Sequence, residues 1–94
     1  MRSQVDKYQY LKEEQLARWN GCPYCFKVMN LSDMQIDHIY PVSKGGKTSK
    51  ENLVCVCSKC NQKKGKLTLN KFISTYNLDQ EKIFKVLRFH KKDY

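Results

Sequence analysis

Two C-x-x-C pairs, Cys22-Pro23-Tyr24-Cys25 and Cys57-Ser58-Lys59-Cys60, constrain this chain more than any other feature of it. One such turn presents two sulfurs to a single ion without strain. Two of them complete a closed tetrahedral site with Zn–S distances of about 2.3 Å. The expected ligands of a structural Zn²⁺ are therefore Cys22, Cys25, Cys57 and Cys60. Residues 26–56, 31 in all, lie between the pairs, more than the roughly 15–20 of a compact ribbon. The zinc is thus expected to clamp the ends of whatever unit the insert forms. Thiol redox chemistry normally uses one C-x-x-C in a βαβ setting, which this chain does not offer.

A chain of 94 residues is expected to form one domain, 1–94, with a modest core that a metal staple would reinforce. Five cysteines argue against a disulfide framework, because an odd count leaves one thiol over. The fifth, Cys55, stands in the apolar run Leu53-Val54-Cys55-Val56 and is read as buried packing, with service as a metal ligand in place of a neighbouring cysteine as the lesser alternative. With a mean hydropathy of −0.72 and no long apolar run, neither a membrane span nor a secretory signal is expected. The expected setting is intracellular, without membrane association.

The formal charge is +9, and four thiolates around one Zn²⁺ would contribute −2, leaving about +7. The excess is concentrated: residues 40–66 hold Lys44, Lys47, Lys50, Lys59, Lys63, Lys64 and Lys66 against the single acid Glu51. A lysine run is commonly a solvated face. Here it surrounds a histidine and two asparagines, which favours an anionic partner.

Val5, Tyr8, Leu11, Leu16 and Trp19 share an arc of roughly 140° at 100° per residue, predicting a helix over 3–19 that Asn20-Gly21 stops. The C-x-x-C turn follows, then strands over Gln35–Tyr40 and Leu53–Val56, joined by a segment, 43–50, read as a mobile loop. Cys57–Lys64 is expected to be a short helix closed by Gly65. Two further helices over 70–92 follow from Leu69, Phe72, Ile73 and Tyr76, and from Ile83, Val86 and Leu87, with Asn77 or Asp79 as a cap. The order β, β, α around one centre predicts a small α+β fold, a hairpin and short helix clamped by a Cys₄ zinc site and flanked by helices.

The run Asp37-His38-Ile39-Tyr40-Pro41-Val42-Ser43-Lys44-Gly45-Gly46, then Asn52-Leu53, then Cys57-Ser58-Lys59-Cys60-Asn61-Gln62-Lys63-Lys64-Gly65 closely resembles the signature of the HNH, or ββα-metal, endonucleases in their four-cysteine, zinc-bound form. The resemblance covers Cys22 to Gly65, 44 of 94 residues. Both half-sites, the acid–histidine pair, the asparagine and the C-N-x-x-K-G ending occur in order at compatible spacings.

The resemblance implies hydrolysis of phosphodiester bonds in DNA, with double-stranded DNA as the expected substrate. It makes His38 the general base toward water, a task suited to a group titrating near neutrality, and has Asn52 orient His38 across the hairpin. It gives Asp37 and Asn61 a single divalent ion, Mg²⁺ or Mn²⁺, bound through oxygen, and implies 5′-phosphate and 3′-hydroxyl ends. Asn61 departs from the literal H-N-H pattern; asparagine occurs in the family there, and its harder amide oxygen favours Mg²⁺ and Mn²⁺. Lys44, Lys47, Lys50, Lys63 and Lys64 are the expected nucleic-acid contacts, although Lys64 reads equally well as a solvated helix lysine. His90 is read as a surface residue favoured by the helix dipole. Small proteins of this build resemble those of bacteria, phages and mobile elements, and double-strand cleavage would take a homodimer, a partner protein or two visits. A different class, a zinc ribbon that binds nucleic acid and cuts nothing, would use the cysteines and lysines but not Asp37, His38, Asn52 and Asn61 together.

Overall fold

A computed structural model describes residues 7–94. The predicted amino-terminal helix is present as α1, Gln9–Arg18; residues 3–6 of the predicted span, Val5 included, lie outside the described residues. Two antiparallel strands follow, β1 (Met34–His38) and β2 (Leu53–Cys57), with Ile36 opposite Cys55 and His38 opposite Leu53. Three helices complete the fold: α2 (Ser58–Lys64), α3 (Leu69–Tyr76) and α4 (Gln80–Phe89). This is the small α+β arrangement expected, a hairpin and short helix between flanking helices.

Every residue of β2 is buried, as an unbroken Leu-Val-Cys-Val-Cys run covered on both faces requires. Its far edge is closed by a side chain instead of a strand. Gln15 of α1 accepts from Cys55 N–H at 3.0 Å and donates to Cys55 C=O at 2.7 Å. One buried amide thus satisfies both backbone groups, each of which would cost about 1–3 kcal/mol if left unpaired. Cys55 is buried, as expected.

The core runs from β2 through Tyr24 and Met29 to Phe72, Ile73, Ile83 and Leu87. Tyr24 and Phe72 meet edge to face at 5.3 Å. Gly65 ends α2 with φ +48°, Asn77 ends α3 in the left-handed region, and the carboxylate of Asp79 accepts from Lys82 N–H to start α4. Asp79 is therefore the cap of the last helix, and Asn77 closes the one before it.

Segment 43–50 is more organised than its composition predicts. Lys44 N–H and Gly46 N–H both donate to Pro41 C=O at 2.9 Å, and a Cβ at Gly46 would fall 1.8 Å from Tyr40 O. Only glycine permits that approach, so Gly46 folds the loop back on the end of β1. His90 also differs from expectation. It is 6% exposed, and among the described residues its Nε2 has no hydrogen-bond partner. Burial, reinforced by Lys92 and Arg18, pushes its pKa down to about 4. The helix-dipole argument treated His90 as exposed, whereas the chain turns after Phe89 and buries it behind α1.

Candidate active site

The four cysteines converge. Their sulfurs all lie within 4.8 Å of one another, and Cys25 Sγ is 3.7 Å from Cys57 Sγ. A tetrahedral site with 2.3 Å bonds has S···S edges of about 3.8 Å, so this donor set fits one metal ion such as zinc. The turns are built for sulfur ligands: Cys57 N–H points at Cys22 Sγ (3.5 Å) and Cys60 N–H at Cys57 Sγ (3.4 Å). The side chain of Cys60, helped by backbone amides and opposed by burial, pulls the Cys22 thiol down to about 5, and the same contact pushes the Cys60 thiol up, so one of the two sulfurs carries the charge and the other the proton until a metal displaces it.

Asp37, His38 and Asn61 come together around one cavity of about 230 Å³, lined also by Ser43, Gly65 and Lys66. Asp37 and His38 end β1, and Asn61 faces them from α2, where its amide nitrogen donates to Gln35 Oε1 at 2.8 Å. That bond turns the amide oxygen away from Gln35. His38 is partly exposed, its Nε2 3.1 Å from Thr48 Oγ1.

Asp37 is only 4% exposed and is held from two sides. Tyr24 Oη donates to Oδ2 at 2.7 Å, and Lys64 Nζ lies 3.2 Å from Oδ2 and 3.4 Å from Oδ1. Burial pushes the Asp37 carboxyl up from its usual range, and Lys64 pulls it back. The same burial lowers the Lys64 ammonium against the pull of Asp37, and raises the Tyr24 phenol well above the tyrosine range, with Asp37 second. A carboxylate accepts about four hydrogen bonds, so capacity remains, mainly at Oδ1, for an ion reached through the cavity. The Asn61 amide oxygen and the Asp37 carboxylate are both hard oxygen donors, the type a divalent ion takes.

Two residues sit differently from expectation. Lys64 is 0% exposed, neither a solvated lysine nor one facing phosphate: besides Asp37 its ammonium donates to His38 C=O at 2.9 Å. The hydrogen bonds of the Asn52 side chain run to the backbone and not to the imidazole. Its Oδ1 accepts from Tyr40 N–H (2.8 Å), and its Nδ2 donates to Tyr40 C=O (3.0 Å) and Lys47 C=O (2.8 Å). Asn52 therefore shapes the loop that carries Thr48 to His38, an indirect hold on the ring.

The expected lysine contacts do not form one patch. Lys44 is exposed on the turn beside the cavity and Lys47 on the loop. Lys50 pairs with Glu14 at 3.5 Å, and Lys63 lies across α2, 5.4 Å from the Tyr76 ring. Lys66 lines the cavity instead. Tyr24, Gln15 and Thr48 were not singled out in the sequence, and Lys66 was counted in the basic stretch but not among the expected contacts. A tyrosine inside a C-x-x-C turn and a glutamine four residues after Leu11 on an apolar face were the available signals.

A zinc-type Cys₄ knuckle, a ββα core and an Asp-His/Asn/Asn set define the class. Residues 22–67 match the family model described as HNH endonuclease, and the chain belongs to that family through this segment. It is 38% identical over 65 residues to the CRISPR-associated endonuclease Cas9 of Corynebacterium diphtheriae, covering 67% of this chain and 6% of that protein. The crystal structure of the Type II-C Cas9 enzyme from Actinomyces naeslundii superposes with a TM-score of 0.80 at 20% identity, over 94% of this chain and 10% of that one. The chain thus spans a tenth or less of the length of these two relatives. Among the described residues no helix is long and apolar enough to cross a membrane.

Proposed function

We propose that residues 1–94 act as a metal-dependent endonuclease domain that hydrolyses phosphodiester bonds in DNA. The observation that carries this reading is the convergence of Asp37, His38 and Asn61 on one cavity, beside a Cys₄ cluster fit for structural zinc. An endonuclease relative at 38% identity supports it.

In this reading Asp37 and Asn61 would hold Mg²⁺ or Mn²⁺ through their oxygens. Such an ion supplies Lewis-acid stabilisation of the departing 3′ oxygen and of the charge on phosphorus. His38 does the proton work. With Nε2 paired to Thr48 Oγ1, it takes the proton of the attacking water at Nδ1, a step worth about 10²–10⁴-fold. Lys64 and Tyr24 touch no substrate; they keep Asp37 ionised and aimed. Lys66, with Lys44 and Lys47 on the neighbouring loop, supplies positive charge for phosphates on either side of the cut. Attack by water with loss of the 3′ oxygen leaves a 5′-phosphate and a 3′-hydroxyl.

Supercoiled plasmid tests this. Zinc-loaded protein should convert it to the nicked form with added Mg²⁺ or Mn²⁺ and stop on chelation, and DNA ligase should reseal the nicks, since resealing needs 5′-phosphate beside 3′-hydroxyl. Binding without metal-dependent nicking would mark the chain as a zinc ribbon that holds nucleic acid and does not cut.

A further inference from the structure

The helix α2 separates two cavities. Asn61 and Gly65 face the one described above; Ser58, Lys59 and Lys63 face another, of about 240 Å³, which has Cys25, Cys57 and Cys60 of the metal cluster as one wall and Tyr24, Lys27, Phe72, Tyr76 and Leu78 around the rest. The two sides of the helix differ in chemistry. On this far side the floor is aromatic: Phe72 is buried and meets Tyr76 edge to face at 5.5 Å, while Tyr76 remains 42% exposed at the mouth. The rim is cationic, with Lys27, Lys59 and Lys63 all exposed and the Lys63 ammonium 5.4 Å from the Tyr76 ring centre. Three ammonium groups outweigh the −2 of a zinc held by four thiolates.

An exposed tyrosine over an apolar floor, ringed by lysines, matches one ligand chemistry: a flat aromatic ring attached to a phosphate. The cavity is smaller than the roughly 300–1,000 Å³ of sites for drug-sized ligands, which suits a single ring system. Resting on the nuclease reading above, we propose that this cavity receives one unpaired nucleotide of the bound DNA strand, its base against Tyr76 and its phosphate between Lys59 and Lys63. A helix is about 10–12 Å across, and successive nucleotides on a strand rise about 3.4 Å. The captured nucleotide therefore lies about three steps from the phosphate being cut. The chain would favour DNA with an unpaired nucleotide near the cut over perfectly paired duplex.

Fluorescence anisotropy on zinc-loaded His38→Ala protein tests this with three labelled duplexes: fully paired, with one unpaired nucleotide, and with an abasic residue in place of that nucleotide. Base stacking on an aromatic side chain corresponds to roughly 5- to 150-fold in affinity. Tyr76→Ala should weaken binding to the duplex with the unpaired nucleotide by that factor and leave the other two within about twofold. Tyr76→Phe should restore it. Lys63→Gln, an exposed change that leaves the fold alone, should lower affinity for the same duplex and flatten its salt slope by about one. Equal losses on all three duplexes, or none on any, would overturn the proposal. The assay reads binding and is separable from cleavage. Protein that nicks plasmid but binds the duplex with the unpaired nucleotide without Tyr76 dependence loses the pocket and keeps the nuclease; Tyr76-dependent binding of that duplex without nicking does the reverse.

Discussion

Lys64→Met would expose how the core holds the buried carboxylate of Asp37. The ammonium lies 3.2 Å and 3.4 Å from the oxygens of Asp37 and 2.9 Å from His38 C=O, with no solvent access. Methionine keeps the stem and removes the charge, leaving Asp37 buried against Tyr24 alone. Breaking a buried pair from one side costs about 3–5 kcal/mol, a large part of the roughly 5–15 kcal/mol available to a domain. The variant should relieve this by protonating Asp37, whose pKa burial already raises in the wild type. A carboxyl whose folded pKa lies above its unfolded value binds more protons in the native state, so lowering pH stabilises it. Urea unfolding of zinc-loaded protein at pH 7.5 should show a loss of about 3–5 kcal/mol relative to wild type, shrinking toward pH 5.5. Lys64→Met with Asp37→Asn should recover most of the loss. An unaffected single variant, a pH-independent loss or no recovery would refute the account of this pair.

Tyr24→Phe should fold with its zinc but shift the Mg²⁺ dependence of nicking about 10- to 100-fold, the usual cost of removing a partner of a metal ligand, as titration of the nicking rate would show. Cys57→Ser should lose zinc by elemental analysis and unfold, since zinc binding is folding energy, while Cys55→Ser should keep both. His90, neutral in the fold with a pKa of about 4, binds a proton more readily when unfolded, so its contribution is present above about pH 6.5 and lost as pH falls toward 4. His90→Leu should therefore flatten the acid limb of thermal stability; an identical pH profile would contradict its burial.

The metal knuckles, the hairpin and the Asp-His/Asn/Asn set were legible in the sequence because each rests on residue types at short, fixed spacing. The partners of those residues were not. Lys64 is one of four lysines between 59 and 66, and only the docking of α2 on β1 distinguishes it from Lys59, Lys63 and Lys66, which are exposed. Asn52 was expected to reach the imidazole across the hairpin, yet its position in the turn just before β2 lets it bind the backbone of the connection instead. Gln15 completing a sheet edge, and Gly46 permitting the loop, are tertiary facts that local pattern does not carry. The helix and strand ends moved by a few residues for the same reason: β1 stops at His38 because residues 39–46 are drawn into the loop.

The central claim is that His38 moves the proton in phosphodiester hydrolysis. Nicking of supercoiled plasmid in Mg²⁺ by wild type and His38→Ala, matched for zinc content and melting temperature, tests it most directly. The account predicts a rate at least about 100-fold lower in the variant, with stability near wild type because the ring is partly exposed at the end of β1. Undiminished cleavage by a clean His38→Ala preparation would contradict it.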